Sequence, residues 1–265
     1  MDDELILAYQ IVKGAGSFAY QLYSNWDRDI SPKKFKAKIQ ASNRIARVAV
    51  VGLGGAGKTT LIKTLTGCDK LDPRIANRGI SPIILGREER RGWLRRTTRT
   101  VIIYCDTEGQ RPQAFVTAML EADENEILHK GCFDALIFVV DVKAPMQTMY
   151  RDEEIIDSVD WSRLGKHVEE WSDYALSLLF DTMSDRLKLC LVFVNKCNLV
   201  KELSGQEKQK LQMKILDSLS PLTQRLQVRT RGALLKVIQG SARDVEEVSE
   251  ARQLIETRVL NGEAR

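Results

Sequence analysis

A chain of 265 residues that is 43% hydrophobic and 29% charged has the composition of a soluble globular protein, long enough for one large α/β domain with additions. No apolar run reaches the roughly 20 residues a helix needs to cross a bilayer. The start Met1-Asp2-Asp3-Glu4 lacks the basic and apolar regions of a secretory leader, so the expected compartment is the cytoplasm.

The formal charge of +4 is unevenly spread. Residues 27–47 hold seven Lys/Arg against two Asp, and residues 87–99 hold six Arg against two Glu, so the remainder is net acidic. Such local basic patches signal a partner surface and no more. Five cysteines (Cys68, Cys105, Cys132, Cys190, Cys197) show no metal-like spacing. Three lie in apolar or strand-like runs, where buried reduced thiols are expected. With two histidines, His129 and His167, a metal centre or triad built on imidazole is not expected.

In chain order, residues 3–26 carry Leu5, Ile6, Tyr9, Val12, Phe18, Leu22 and Trp26 at loosely helical spacing, interrupted by Gly14 and Gly16. This predicts two short helices or one broken one. Ser31-Pro32 then opens a basic helix running towards Arg47. It is read as an extension with a solvated basic face, the alternative being a membrane-surface helix whose lysines meet anionic lipid. From residue 47 the signals alternate in the α/β manner. Strands are expected at 47–52, 81–86, 95–105, 133–142, 187–195 and 235–240. Helices are expected at 58–66, 113–128, 168–183, 205–219 and 245–259, with a short extra helix near 152–160. The second and third of these strands have no helix between them and predict an antiparallel hairpin.

The first strand enters Gly52-Leu53-Gly54-Gly55-Ala56-Gly57-Lys58-Thr59-Thr60, which fits the phosphate-binding P-loop pattern G-x-x-x-x-G-K-[ST]. Glycines let backbone N–H groups turn inward and approach phosphate oxygens. The following helix offers its positive end to the same anion. Lys58 supplies a point charge for the outer phosphates, and the Thr59 hydroxyl suits Mg²⁺. Downstream, an apolar strand ends in Asp106, where a P-loop enzyme needs a carboxylate for Mg²⁺. Gly109 and Gln110 follow at D-x-x-G-Q spacing.

With that second motif the chain resembles the Ras/Arf/Gα superfamily of P-loop GTPases. Asn195-Lys196-Cys197-Asn198 stands at the place of the guanine-recognition motif N-K-x-D, and Ser241-Ala242 at that of the S-A-K/R element. The resemblance implies a Ras-like three-layer α/β sandwich over 47–265, mostly parallel with one antiparallel edge strand, after an N-terminal helical extension over 1–46. It also implies GTP as substrate, Mg²⁺ as cofactor on Thr59, Asp106 and Ser81, and Gln110 orienting the attacking water. Arg78, three residues before Ser81, resembles the arginine that precedes the switch threonine in Gα and is a candidate internal arginine finger.

Asn198 departs from the family's aspartate. An amide presents a donor where guanine asks for a second acceptor, a mismatch of about 1–3 kcal/mol. Weaker GTP binding, relaxed purine specificity (XTP or ATP), or a base contact from elsewhere all follow from it. The arginine-rich hairpin at 87–99 is read as an edge for a protein effector or regulator, with nucleic acid second. The resulting expectation is a GTP-hydrolysing switch. A nucleotide-binding scaffold with little turnover is the alternative. An ATPase or nucleotide kinase would share the P-loop, but not Asn195-Lys196 and Ser241-Ala242.

Overall fold

The computed structural model describes residues 4–14, 17–24, 44–67, 80–91, 96–107, 116, 131–144, 158–183, 186–200 and 205–260. Its strands are β1 (Glu4–Gly14), β2 (Ser17–Ser24), β3 (Arg44–Val51), β4 (Ile80–Arg91), β5 (Arg96–Thr107), β6 (Ala135–Asp141), β7 (Leu189–Asn195) and β8 (Leu234–Gln239). They form one sheet in the order β2-β1-β4-β5-β3-β6-β7-β8. The five strands from β5 to β8 in that order run parallel. The described helices are α1 (Lys58–Thr66), α2 (Trp161–Glu170), α3 (Asp173–Asp181), α4 (Gly205–Arg229) and α5 (Val245–Leu254), the last continuing into a π-helical turn, Ile255–Leu260.

Strand alternation builds two cores. In β6, Leu136, Phe138 and Val140 face one side, with Leu164 of α2, Leu176 and Leu179 of α3, and Leu219, Leu222 and Leu226 of α4. Ala135, Ile137 and Val139 face the other, with Leu61, Ile62 and Leu65 of α1 and Val248 and Ala251 of α5. All seven residues of β6 and of β7 are buried, as parallel strands covered on both faces must be. Cys105, Cys132 and Cys190 are buried. Among the described residues no helix is long and apolar enough to cross a membrane.

Several expectations are corrected. The N-terminal residues expected to be helical form the antiparallel pair β1–β2, with Gly14 opposite Ser17. β-branched and aromatic residues are dense there (Ile6, Tyr9, Ile11, Val12, Phe18, Tyr20, Tyr23), which favours strand over helix. The basic helix expected from Ser31 lies outside the described residues, except for its last part, which belongs to β3. β4 is antiparallel to β5 but is not the sheet edge, because β1 pairs with it from Ala8↔Ile83 to Glu4↔Arg87. The expected helix at 168–183 is two helices. Asp160 caps α2 by accepting from Arg163 N at 3.0 Å, and Ser172 starts α3. α4 does not stop at residue 219 but runs through Pro221 to Arg229. Of the helix expected at 113–128, only Val116 is described.

Candidate functional site

The glycine-rich stretch leaves β3 and turns into α1 through three left-handed glycines: Gly52 (φ 152°), Gly55 (φ 74°) and Gly57 (φ 96°). Two of them are also sterically required. A Cβ on Gly52 would lie 2.3 Å from Val139 O, and one on Gly57 would lie 2.2 Å from Asn195 Nδ2. Ala56 N donates to Leu53 O at 3.2 Å, which closes the loop around Gly54 and Gly55. Among the described residues no side chain caps α1 and no acidic residue lies in its first turn. The positive helix end therefore meets the loop without a capping side chain.

Lys58 curls back over the loop. Its Nζ donates to the carbonyls of Gly52 (3.0 Å) and Leu53 (3.1 Å). Burial lowers its pKa, against the upward pull of Asp106 and Asp141. Thr59 Oγ1 donates to Asp106 Oδ2 at 2.5 Å. Asp106 reaches α1 because it shares the strand face of Ile102 and Tyr104, which pack in the α1 core. Thr107 Oγ1 donates to Val50 O at 2.9 Å and locks that end of β5 to β3. Ser81 is opposite Asp106 in the β4–β5 register. Thr60 lies in the first turn of α1, and its carbonyl accepts from Thr64 Oγ1 at 3.2 Å.

The later motifs converge on the same rim. Asn195 ends β7, and its Nδ2 donates to Ala56 O at 2.7 Å. Its Oδ1 accepts from Lys196 N and Ala242 N, both at 2.7 Å. One buried amide thus joins the glycine loop, the N-K turn and the turn after β8. Ser241 N donates to Glu247 Oε2 at 2.6 Å, and Thr64 Oγ1 of α1 donates to Ala242 O at 2.5 Å. Lys196, itself left-handed (φ 66°), sends Nζ to Asp141 Oδ2 (3.0 Å) and Lys143 O (3.1 Å). Asn198 is exposed in a 3₁₀ turn. It borders a cleft of about 500 Å³ with Lys208, Gln212, Gln239 and Glu247. Arg78, Gly109 and Gln110 lie outside the described residues.

Sequence reasoning missed three residues at this rim. Asp141 closes β6, fully buried, and its Oδ1 accepts from Arg163 Nε (2.8 Å) and His167 Nε2 (2.6 Å). Arg163 Nη2 continues to Gly54 O at 2.7 Å. Burial pushes the Asp141 carboxyl up, but the His167 hydrogen bond with the Lys196 and Arg163 cations holds it below the usual range. For His167 burial wins, and its pKa is lowered despite Asp141. With Nε2–H given to the carboxylate, Nδ1 is the bare nitrogen of a neutral imidazole. The signal was present: a lone acid ending an apolar strand, and Arg163 and His167 four apart on one helix face.

Chemically, the rim offers an anion cradle with a desolvated cation at one end, a hydroxyl–carboxylate pair beside it, and an amide-clamped turn at the other end. No protein-family model matches the chain. No curated protein matches it either. Among solved structures, the chain is similar to the Methanosarcina barkeri Roco2 RocCORdC bound to GDP, at 18% identity and a TM-score of 0.42. That likeness covers 83% of this chain and 50% of the other, so the chain spans about half the length of the structure it matches.

Proposed function

We propose that the chain binds GTP with Mg²⁺ and hydrolyses it, as a switch whose nucleotide state governs a protein partner. The observation that carries this reading is the Asn195 amide, hydrogen-bonded to Ala56 of the glycine loop and to Ala242 beyond β8. A phosphate loop alone serves many chemistries. One tied to the two turns that the GTPase resemblance gives to guanine favours that base. The five-strand parallel sheet with helices on both faces suits a Ras-like sandwich, with residues 47–265 as the nucleotide domain and residues 1–46 as an addition.

In this reading, N–H groups of Gly54, Gly55, Gly57 and Thr60 would cradle the phosphates at the head of α1, while Ala56 N holds the loop's turn on Leu53 O. Lys58 would neutralise the outer ones, since a phosphate oxygen restores the solvation that burial removes from its ammonium. Thr59 and Asp106 are hard oxygen donors held together, a donor set that fits Mg²⁺, with Ser81 as a third candidate. The ion, when bound, draws charge off the phosphate oxygens. Gln110 would orient water for in-line attack, Gly109 would present its N–H to the γ-phosphate, and Arg78 would act as an internal arginine finger. Lys196, Ser241 and Ala242 would line the base, and Asn198 would accept one of its hydrogen bonds.

The partner would be a protein meeting the arginine-rich hairpin and the segments around 74–81 and 109–120, in the cytoplasm. Contact of the basic residues 33–38 with a membrane, or of the hairpin with RNA, ranks below it. Thermal unfolding with GTP, XTP and ATP, followed by phosphate release, tests the reading. Stabilisation by GTP with phosphate produced supports it, and stabilisation by ATP alone overturns the base assignment. Asn198 in place of an aspartate favours a second reading, a nucleotide-binding scaffold. That reading prevails if GTP binds and no phosphate appears even with partner extract.

A further inference from the structure

Asp141 and Arg163 belong to none of the motifs, yet they stand between two of them. Asp141 pairs with Asn195 in the β6–β7 register, so its carboxylate emerges beside the N-K turn. One oxygen takes Lys196 Nζ at 3.0 Å and the other takes Arg163 Nε at 2.8 Å. Arg163 then reaches Gly54 O at 2.7 Å through Nη2. A buried carboxylate is unfavourable unless paired and hydrogen-bonded, and here each pairing leads to a different side of the rim.

The guanidinium is planar and presents its donors in a rigid fork, so fixing Nε on Asp141 fixes where Nη2 points. The peptide joining Gly54 and Gly55 is planar and trans, so its C=O and N–H point in opposite directions. Arg163 draws the Gly54 carbonyl towards α2 and thereby directs the Gly55 N–H to the other side of the loop.

We infer that Asp141 and Arg163 are positioning residues that set the lysine of the N-K turn and the phosphate side of the glycine loop as one unit. The inference rests on the nucleotide reading above. Under it, Arg163 orients the Gly55 N–H for a β-phosphate, Lys196 orients for the base, and Asp141 makes each arrangement depend on the other.

A double-mutant cycle on the full chain tests this, using Arg163→Gln, Lys196→Gln and their combination, with affinities measured for GDP and GMP. Each single variant is expected to weaken GDP binding about tenfold or more, and the pair by clearly less than the product of the two losses. Arg163→Gln is also expected to lower the ratio of GDP to GMP affinity, a readout that general loss of stability does not move. Losses that multiply, an unchanged GDP-to-GMP ratio, or wild-type affinity in Arg163→Gln would each overturn the coupling. Thermal unfolding without nucleotide monitors the fold. If Arg163→Gln does not fold, Arg163→Lys replaces it in the cycle, since a single ammonium lacks the fork that serves Asp141 and Gly54 together. A wild-type chain that binds neither nucleotide overturns the site reading itself, whereas binding with multiplied losses overturns only the coupling.

Discussion

Gly57 leaves no room for a side chain. A Cβ there would meet Asn195 Nδ2 at 2.2 Å, at a φ of 96° that L residues avoid. Gly57→Ala should therefore lose on the order of 1–3 kcal/mol from backbone strain alone, seen as a lower urea midpoint. Asn195→Ala removes the partner of Ala56 O, Lys196 N and Ala242 N. Leaving a buried polar group without its partner costs about 1–3 kcal/mol, so this variant should unfold at least that much more easily and bind nucleotide poorly. His167 sets an acid limit. Its pKa is lowered in the fold by burial, against the pull of Asp141 and with Arg163 and Lys58 nearby. The unfolded chain thus binds more protons just below the ordinary value of 6.5. This part of the stability is present above that value and is lost as pH falls from it towards the folded pKa. Unfolding midpoints measured from pH 7.5 to 5 should fall, and the fall should be shallower in His167→Gln. A flat wild-type profile would show that His167 is not buried neutral. The carboxylate of Asp141 shifts the other way relative to its charged form, so its contribution is lost only below 3.8.

At the level of elements, β6 and β7 were legible because six apolar residues in a row admit few other fates inside an α/β chain. α1 was legible from its glycine start and its Leu61, Ile62 and Leu65 stripe. The N-terminal hairpin was not, because Leu5, Tyr9 and Val12 satisfy a loose helical spacing as well as a strand, and only pairing with β4 decides between them. The break between α2 and α3 depends on Ser172 acting as a cap rather than as one more polar residue. α4 outlasts its proline because Leu219, Leu222 and Leu226 are buried on both sides of Pro221, and burial outweighs one lost backbone hydrogen bond. Leu222→Ala should accordingly cost about 2–5 kcal/mol. Met213→Ala, on the exposed face of the same helix, should stay within about 0.5 kcal/mol. Equal losses in chemical denaturation would mean that the two faces are wrongly assigned.

For the molecule as a whole, a ligand held as proposed would be linked to folding through the sheet, since the glycine loop, the N-K turn and the turn after β8 leave neighbouring or near-neighbouring strands. A nucleotide that binds only the folded chain should stabilise it by about 2.7 kcal/mol at a hundred times its dissociation constant, measurable as a concentration-dependent midpoint. The sequence alone determined the glycine loop, because each residue's chemistry there is local: backbone freedom at the glycines, a cation at Lys58 and a hydroxyl at Thr59. It also determined the alternation of strands and helices, since burying both faces of a strand demands a continuous apolar run. Only the tertiary structure decided what surrounds that loop. Gly54 and Arg163 are 109 residues apart, and Ala56 and Asn195 are 139 apart. Such contacts follow from strand order and register, which bring distant chain ends to one rim and leave no periodicity in the sequence to read.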